Sequence, residues 1–449
     1  TPLERASAQI FANVLRDSLG AASSASEMWL PRVDLSALFP DVVHRFIVAR
    51  GGEARTDARV ERITRRDRFE LRLRNDPQHV IEADAVVDRR PFELFYPDGF
   101  RFRAARLPAP WHLAAGLLTS RGFSRADRAA LIGFLRKLKR AQWNIGNDRS
   151  TIDWLYECEQ TPDVIRRLWR PLALAALNTP LERASAQIFA NVLRDSLGAA
   201  SNASEMWLPR VDLSALLPDA VHRFIVARGG EVRTDARVER ITRRDRFELR
   251  LRNDPQQVIE ADAVVYAASP AHLEHIVGPN PAFASDYEAT ARFEYEPIYT
   301  VYLKYEPTVR LARDFFALLD DPAKRRYAQW VFDRGALDSR NAGIMAAIIS
   351  ASGPHEAESL DDVGAAVARQ LSDDLNLPAP LDNRAIAERR ATCAATVDLR
   401  RPANRTPWNG FALAGDWTES EYPSTLETAV RSGVAAARLV MTGIVCRLQ

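Results

Sequence analysis

The sequence predicts a mixed α/β and α+β protein, and three observations predict it. Between residues 184 and 265 a helical stretch, a second helical stretch, a Gly-Gly stop, a strand meander and a short apolar strand follow one another. A β-rich aromatic run at 293–305 is followed by further strand-like segments. Near the C-terminus an apolar strand ends in Gly415-Asp416 and leads through a loop into a long helix. Helices alternating with buried strands build an α/β layer, whereas strands clustered together build an antiparallel sheet.

Each element of the first region has a local cause. Ile188, Phe189, Val192 and Leu193 place a helical face within 184–197. Asp212 can cap a second helix, whose apolar positions Leu213, Leu216, Leu217, Val221, Phe224 and Ile225 keep helical spacing until Gly229-Gly230. Strands are predicted at 232–241 and at 247–251, where apolar and polar residues alternate strictly, with a turn at Asn253-Asp254-Pro255. Residues 261–265 close the unit as a buried-type strand.

This unit occurs twice. Residues 1–87 recur as 179–265, and 82 of the 87 positions are identical. The differences are Ser24/Asn202, Phe39/Leu217, Val42/Ala220, Ala54/Val232 and His79/Gln257. Solenoid repeats have short periods, stack on their neighbours and drift apart in sequence, so this long, nearly identical pair reads as a recent duplication, a recombination or an assembly error rather than a repeat architecture. The copies part after Val87.

In the unique segments, 92–102 reads as a hairpin around Pro97-Asp98-Gly99. Residues 107–175 are predicted helical. Leu131, Phe134, Leu135 and Leu138 fall on one face, with Arg136, Lys137, Lys139 and Arg140 beside them. The first reading is a helix packed on a core. The second is a basic amphipathic face on a membrane surface, aided by Trp111 and Trp143. The runs 293–305, 330–335 and 343–351 predict a mostly antiparallel sheet able to line an apolar cavity. Gly415 permits close backbone approach. Asp416 at a strand end can accept bonds from ligand hydroxyls, and the helix start after Ser424 can face an electron-rich group.

Composition excludes several classes. Hydrophobic residues make up 47% and charged residues 27%, so disorder and fibrous structure are not the main architecture. No apolar run reaches the roughly 20 residues that span a bilayer. The formal charge of +2 offers no bulk attraction to nucleic acid. Cys158, Cys393 and Cys446 are far apart without a C-x-x-C, so neither a disulfide framework nor a metal site is expected, and a cytoplasmic location is. His272 and His275 are spaced i, i+3 and read as the start of a surface helix.

The stretches 412–417 and 422–433 resemble the C-terminal flavin signature of the flavin-containing amine oxidoreductase and phytoene desaturase superfamily, and within it the squalene-associated branch, the hydroxysqualene dehydroxylases. Residues 92–102, 107–110, 169–180, 329–335 and 389–392 support the resemblance, which runs from about 89 to 449. It implies an FAD-binding Rossmann-like domain, here incomplete, and a substrate domain with an antiparallel sheet and helices. The expected division is 1–88 as the duplicate copy, 89–178 and 271–405 as substrate domain, and 179–270 and 406–449 as FAD domain.

The resemblance also implies site residues. Gly415, Asp416 and Trp417 would contact the ribityl–pyrophosphate part of FAD. Thr425, Leu426 and Glu427 would lie along the isoalloxazine, Val238 at the adenine, and Ala268 near the cofactor. Tyr422 and Glu427 are the candidates for proton donor. The implied substrate is a long isoprenoid, met at a peripheral position on the inner membrane surface. The implied reaction is reductive dehydroxylation of hydroxysqualene, with carotenoid desaturation or an inactive rearranged chain as alternatives. One departure matters: the 449 residues contain no G-x-G-x-x-G, the turn that brings backbone N–H groups to a pyrophosphate.

Overall fold

The chain divides into two units, Thr1–Ala83 and Asp84–Gln449. The computed structural model describes residues 60–65, 69–73, 80–83, 87–107, 111–198, 201–254 and 256–448. The helices expected in the first repeat copy fall outside the described residues.

In the first unit, β1 (Val60–Arg65), β2 (Phe69–Leu73) and β3 (Val80–Ala83) form an antiparallel meander. The second copy repeats it in the larger unit, as the identical sequence demands: β8 (Val238–Arg243), β9 (Phe247–Leu251) and β10 (Val258–Ala261). Even the irregularity is shared, with register shifts at Val60/Arg62 and at Val238/Arg240.

The larger unit begins with β4 (Val87–Arg90), which pairs with β7 (Met206–Pro209). The predicted hairpin forms as β5 (Glu93–Phe95) and β6 (Arg101–Arg103), with Leu94 opposite Phe102. Helices follow. Ser124 and Asp127 close a capping box at the start of Arg125–Arg140. Leu131, Phe134 and Leu138 are buried there, so the core-packing reading of this face is correct. Phe134 lies 5.0 Å from both the Trp154 and Trp169 rings, and Trp169 Nε1 donates to Gln160 Oε1 at 2.8 Å. Burial of each such aromatic contributes roughly 1.5–3 kcal/mol. The helix Ala186–Ser196, capped by Ser185, sits in the same core through Phe189, Ala190 and Leu193.

The second domain-scale feature is a five-stranded antiparallel sheet, in the order β13 (Phe315–Ala317), β14 (Trp330–Asp333), β15 (Ile344–Ser350), β12 (Tyr295–Lys304), β16 (Asp382–Cys393). Strand alternation sorts its side chains. Tyr299, Val301, Leu303, Met345, Ala347 and Ile349 are buried in one core with Val363, Val367 and Leu371 of the helix Leu360–Leu375. Ile298, Thr300, Tyr302, Ile348 and Ile386 belong to the opposite face. It is less covered there, and Tyr302 and Ile386 are exposed.

The remaining strands, β11 (Val264–Tyr266) and β17 (Phe411–Leu413), run parallel, with Val264 opposite Phe411 and Tyr266 opposite Leu413. The helix Leu426–Leu448 follows β17.

Three expectations need correction. The helix expected from Asp212 to Gly229 is two helices, Leu213–Leu216 and Pro218–Val226, because Pro218 cannot donate to a continuing ladder. Asp212 does cap the first, accepting from Ala215 N at 2.9 Å. The strand expected over 232–241 is β8 alone, whose length is set by its five-residue partner β9. The strand expected over 261–265 is divided between β10 and β11, which serve different sheets.

Candidate functional site

β17 carries the chain, fully buried, to Gly415. Gly415 has φ +148, and a Cβ there would lie 2.3 Å from Trp417 Nε1, so glycine is required. The loop is tied to the following helix through one hydroxyl. Ser432 Oγ accepts from Gly415 N at 3.0 Å and from Asn404 Nδ2 at 2.8 Å and donates to Thr418 Oγ1 at 2.6 Å, which donates on to Gly415 O at 3.0 Å. Trp417 is 3% exposed and its ring lies 6.3 Å from that of Tyr266, so its side chain is core.

Next to this turn stands a group of polar side chains that the sequence reading missed, apart from Asp416. Burial raises the Asp416 carboxyl pKa, and the Arg401 guanidinium pulls it back. Burial also lowers the Arg401 pKa, against the opposing pull of Cys393 and Asp416. The Cys393 thiol is pushed up to about 12 by burial, with Asp416 adding to it. Tyr295 is likewise pushed up to about 12, chiefly by burial. Cys393 and Tyr295 are register partners across β16 and β12, which places the beginning of the large sheet beside Asp416. Arg401 Nη1 donates to Tyr422 O at 2.7 Å. Its Nε and Nη2, and the Tyr295 hydroxyl, are buried without a hydrogen-bond partner among the described residues. Buried donors left unpaired are costly, and a ligand rich in carbonyl and hydroxyl oxygens would satisfy them. The donor set therefore fits the polar parts of a flavin nucleotide.

Two cavities flank the turn's strands and helix. One of about 700 Å³ is lined by Val238, Ile241, Tyr266, Ala267, Ala268, Arg237, Arg252, His272 and His275 among others. It brings together Val238 and Ala268, two residues far apart in sequence. His272 and His275 stand on a 3-10 turn and the helix Leu273–Val277 after Ser269-Pro270, as expected, but they face this cavity.

The other cavity, about 260 Å³, is lined by Ala176, Val192, Asp195, Ser196, Ala203, Tyr422, Pro423, Thr425, Glu427 and Arg431. Here the Tyr422 hydroxyl donates to Asp195 and accepts from Arg194 Nη2 at 2.9 Å. Burial raises the Tyr422 pKa, and the bond to Asp195 adds to the effect. The hydrogen bond from Arg194 holds the Asp195 carboxyl below its usual range, despite burial. The Arg431 guanidinium lies 5.1 Å from the Tyr422 ring centre and donates to Glu427 Oε1 at 2.7 Å. Thr425 Oγ1 accepts from Thr428 N at 3.3 Å, capping the helix start, and Leu426 is 67% exposed. The expected residues thus stand as three groups: Val238 and Ala268 at the large cavity, Gly415 to Trp417 at the turn, and Tyr422, Thr425 and Glu427 at the small cavity. Asp195 came from the repeat and carried no motif; Arg401, Cys393 and Tyr295 came from segments with no shared spacing.

Residues 89–441 match the family model described as flavin containing amine oxidoreductase. A hydroxysqualene dehydroxylase of Rhodopseudomonas palustris is 29% identical over 287 residues, 61% of this chain and 62% of the relative. A 15-cis-phytoene desaturase of Glycine max is 23% identical over 230 residues, 49% of this chain and 40% of the relative. The chain therefore spans less than two thirds of the length of the curated relatives it matches. Among solved structures, an oxidoreductase from Methanosarcina mazei superposes with TM-score 0.55 at 12% identity, covering 78% of this chain and 87% of that one.

Proposed function

The chain belongs to the flavin-containing amine oxidoreductases, a family of FAD-dependent oxidoreductases, and on that premise we propose that it acts on a long isoprenoid, removing the hydroxyl of hydroxysqualene to give squalene. The observation that carries this reading is the less covered face of the large sheet. On that face Ile298, Tyr302, Ile348 and Ile386 supply apolar area, beside Thr300 and the exposed charges of Lys304, Arg384 and Glu388, on strands whose Tyr295–Cys393 end lies beside Asp416. A triterpene has no charge to hold, so its recognition rests on apolar area and shape.

FAD, when bound, supplies the hydride in its reduced form. The residues that would hold it are those of the three groups. Val238 and Ala268 would border the adenosine portion. Gly415 and Asp416 would meet the ribityl–pyrophosphate portion, with Arg401 beside them. Thr425, Leu426 and Glu427 would lie along the ring system. Replacement of C–OH by C–H consumes one hydride and one proton and releases water. Tyr422 is the better proton donor of the two candidates: burial keeps its phenol protonated, and Asp195 and Arg194 fix the hydroxyl. Glu427 is exposed and already paired with Arg431.

The Glycine max relative favours a second reading, desaturation of a carotenoid precursor on the same sheet face. FAD-supplemented chain, reduced chemically, should convert hydroxysqualene to squalene. Conversion of phytoene by the oxidised form with no action on hydroxysqualene would replace the first reading by the second. Action on neither substrate would remove both.

A further inference from the structure

On the reading of the chain as a donor of hydride from reduced flavin, we infer that Arg401 is the residue that makes its site favour reduced over oxidised flavin.

Arg401 links two of the three groups of site residues. Its guanidinium acts through space on the Asp416 carboxyl at the turn. On the other side its Nη1 donates to Tyr422 O at 2.7 Å, in the loop that reaches the small cavity with Tyr422 and Thr425. The segment carrying it is pinned. Pro402 O accepts from Glu419 N at 2.8 Å, and Asn404 O accepts from Leu413 N of β17 at 2.9 Å. The charge is therefore fixed where the ribityl portion of the cofactor would give way to its ring system.

The protein itself does not neutralise that charge. A guanidinium is a rigid fork of N–H donors. One donor of Arg401 meets the Tyr422 carbonyl, while Nε and Nη2 are buried without a hydrogen-bond partner among the described residues. Cys393 and Tyr295 stay neutral beside it, each pKa pushed up to about 12, chiefly by burial. Asp416 acts on Arg401 through space and not by a hydrogen bond, and burial disfavours its charged form as well. The Arg390 guanidinium, 5.5 Å from the Tyr295 ring centre, adds a further positive charge to the cluster. A buried cation with idle donors costs free energy, and an anion placed against it recovers that cost.

The two redox forms of flavin differ in the required way. The oxidised ring is neutral. The reduced ring is an anion around neutral pH, its charge shared between N1 and the C2 carbonyl oxygen, and charge near N1 is what tunes a flavin's electronics. A cation held away from water binds the anion more tightly than the neutral form. By the thermodynamic cycle, the ratio of the two affinities is a shift in reduction potential. A pyrophosphate carries the same charge in both redox states, so pairing with it would create no preference.

The test is anaerobic equilibrium dialysis of the full chain at pH 8 with FAD and with riboflavin, each oxidised or reduced by dithionite, and with no isoprenoid added. The chain should bind the reduced form of both about tenfold more tightly than the oxidised form, equivalent to a rise of about 30 mV in the two-electron potential. Arg401→Met should abolish the preference by weakening the reduced form alone. Arg401→Lys, which keeps the charge but not the fork, should retain part of it. Equal weakening of both redox forms in Arg401→Met would mean that the residue only holds the loop or the pyrophosphate, and would overturn the inference. A preference shown by FAD but not by riboflavin, which has no phosphate, would overturn it too, as would failure to bind the reduced form of either. Circular dichroism of each variant guards against misfolding. Absence of hydroxysqualene conversion with the preference intact counts against the substrate reading alone, and conversion without any preference counts against Arg401 alone.

Discussion

Gly415→Ala should be among the most damaging single-methyl additions in this chain. The residue holds φ +148, which an alanine adopts only with backbone strain of about 1–3 kcal/mol. The added Cβ would also meet Trp417 at 2.3 Å from Nε1 and 2.6 Å from Cδ1. Trp417 is packed against Tyr266 and cannot retreat cheaply, so overpacking adds about 1–3 kcal/mol. The sum is roughly 2–6 kcal/mol of destabilisation. Gly433 supplies the comparison. It lies in the helix Leu426–Leu448, and a Cβ there meets nothing within 4 Å. Gly433→Ala should stabilise by roughly 0.5–1 kcal/mol through helix propensity. Urea unfolding followed by tryptophan fluorescence compares the two variants directly, and limited proteolysis of 415–425 shows whether the loss is local. Gly415→Ala and Gly433→Ala unfolding at the same urea concentration would refute the reasoning about this turn.

Asp88 accepts from Arg210 Nη2 at 2.7 Å across the β4–β7 pair, and this bond, chiefly, lowers its pKa. A carboxyl depressed in the folded state stabilises above its unfolded pKa, and the contribution disappears as pH falls through the folded value. Asp88→Asn should therefore lower stability at pH 7 and flatten the loss of stability below about pH 4; an unchanged acid limb in urea titrations would refute it. Cys393 is 4% exposed with a thiol pushed up to about 12, so iodoacetamide at pH 8 should leave it unmodified while Cys158, half-buried, reacts. Mass spectrometry of the digested protein reads this, and alkylation of Cys393 before Cys158 would contradict the burial.

What could be read from sequence follows the range of the forces involved. The hairpin at 93–103, the Asp212 cap, the buried face of Leu131, Phe134 and Leu138, and the glycine at 415 are set by neighbours within a few residues. The polar group around Asp416 is not. Tyr295 and Cys393 meet only because β12 and β16 pair in one register out of many, and no spacing encodes that. Arg401 arrives from an irregular segment and is recognisable only by its burial and its unpaired donors. Strand lengths failed for a related reason. β8 and β10 end where their partner β9 ends, although the apolar pattern continues beyond them. Pro218 was a visible stop that the helical spacing of Leu216, Leu217 and Val221 obscured.

The 449 residues as they stand should purify without stoichiometric FAD. By family resemblance the nucleotide is gripped from two sides, the strand-loop-helix at 411–448 and a glycine-rich turn that this sequence lacks. Charge-assisted hydrogen bonds to a pyrophosphate contribute roughly 1.5–3 kcal/mol each. Even two of them missing would weaken binding by about 10² to 10⁴-fold. The described residues also leave apolar side chains exposed on this strand-loop-helix and on β11. Leu426, Val430 and Val434, one helical turn apart, are 67%, 52% and 47% exposed, and Val265 on β11 is 39% exposed. Replacing residues 1–88 with a glycine-rich βαβ segment from a relative should yield a yellow protein and reduce the binding of a hydrophobic dye such as anilinonaphthalene sulfonate. The two readouts separate the causes: flavin without a fall in dye binding would mean the cradle was restored but not the packing, and a fall in dye binding without flavin would mean the reverse. A yellow protein with one FAD per chain from the unaltered sequence would show that the grip at Gly415, Asp416 and Arg401 suffices alone.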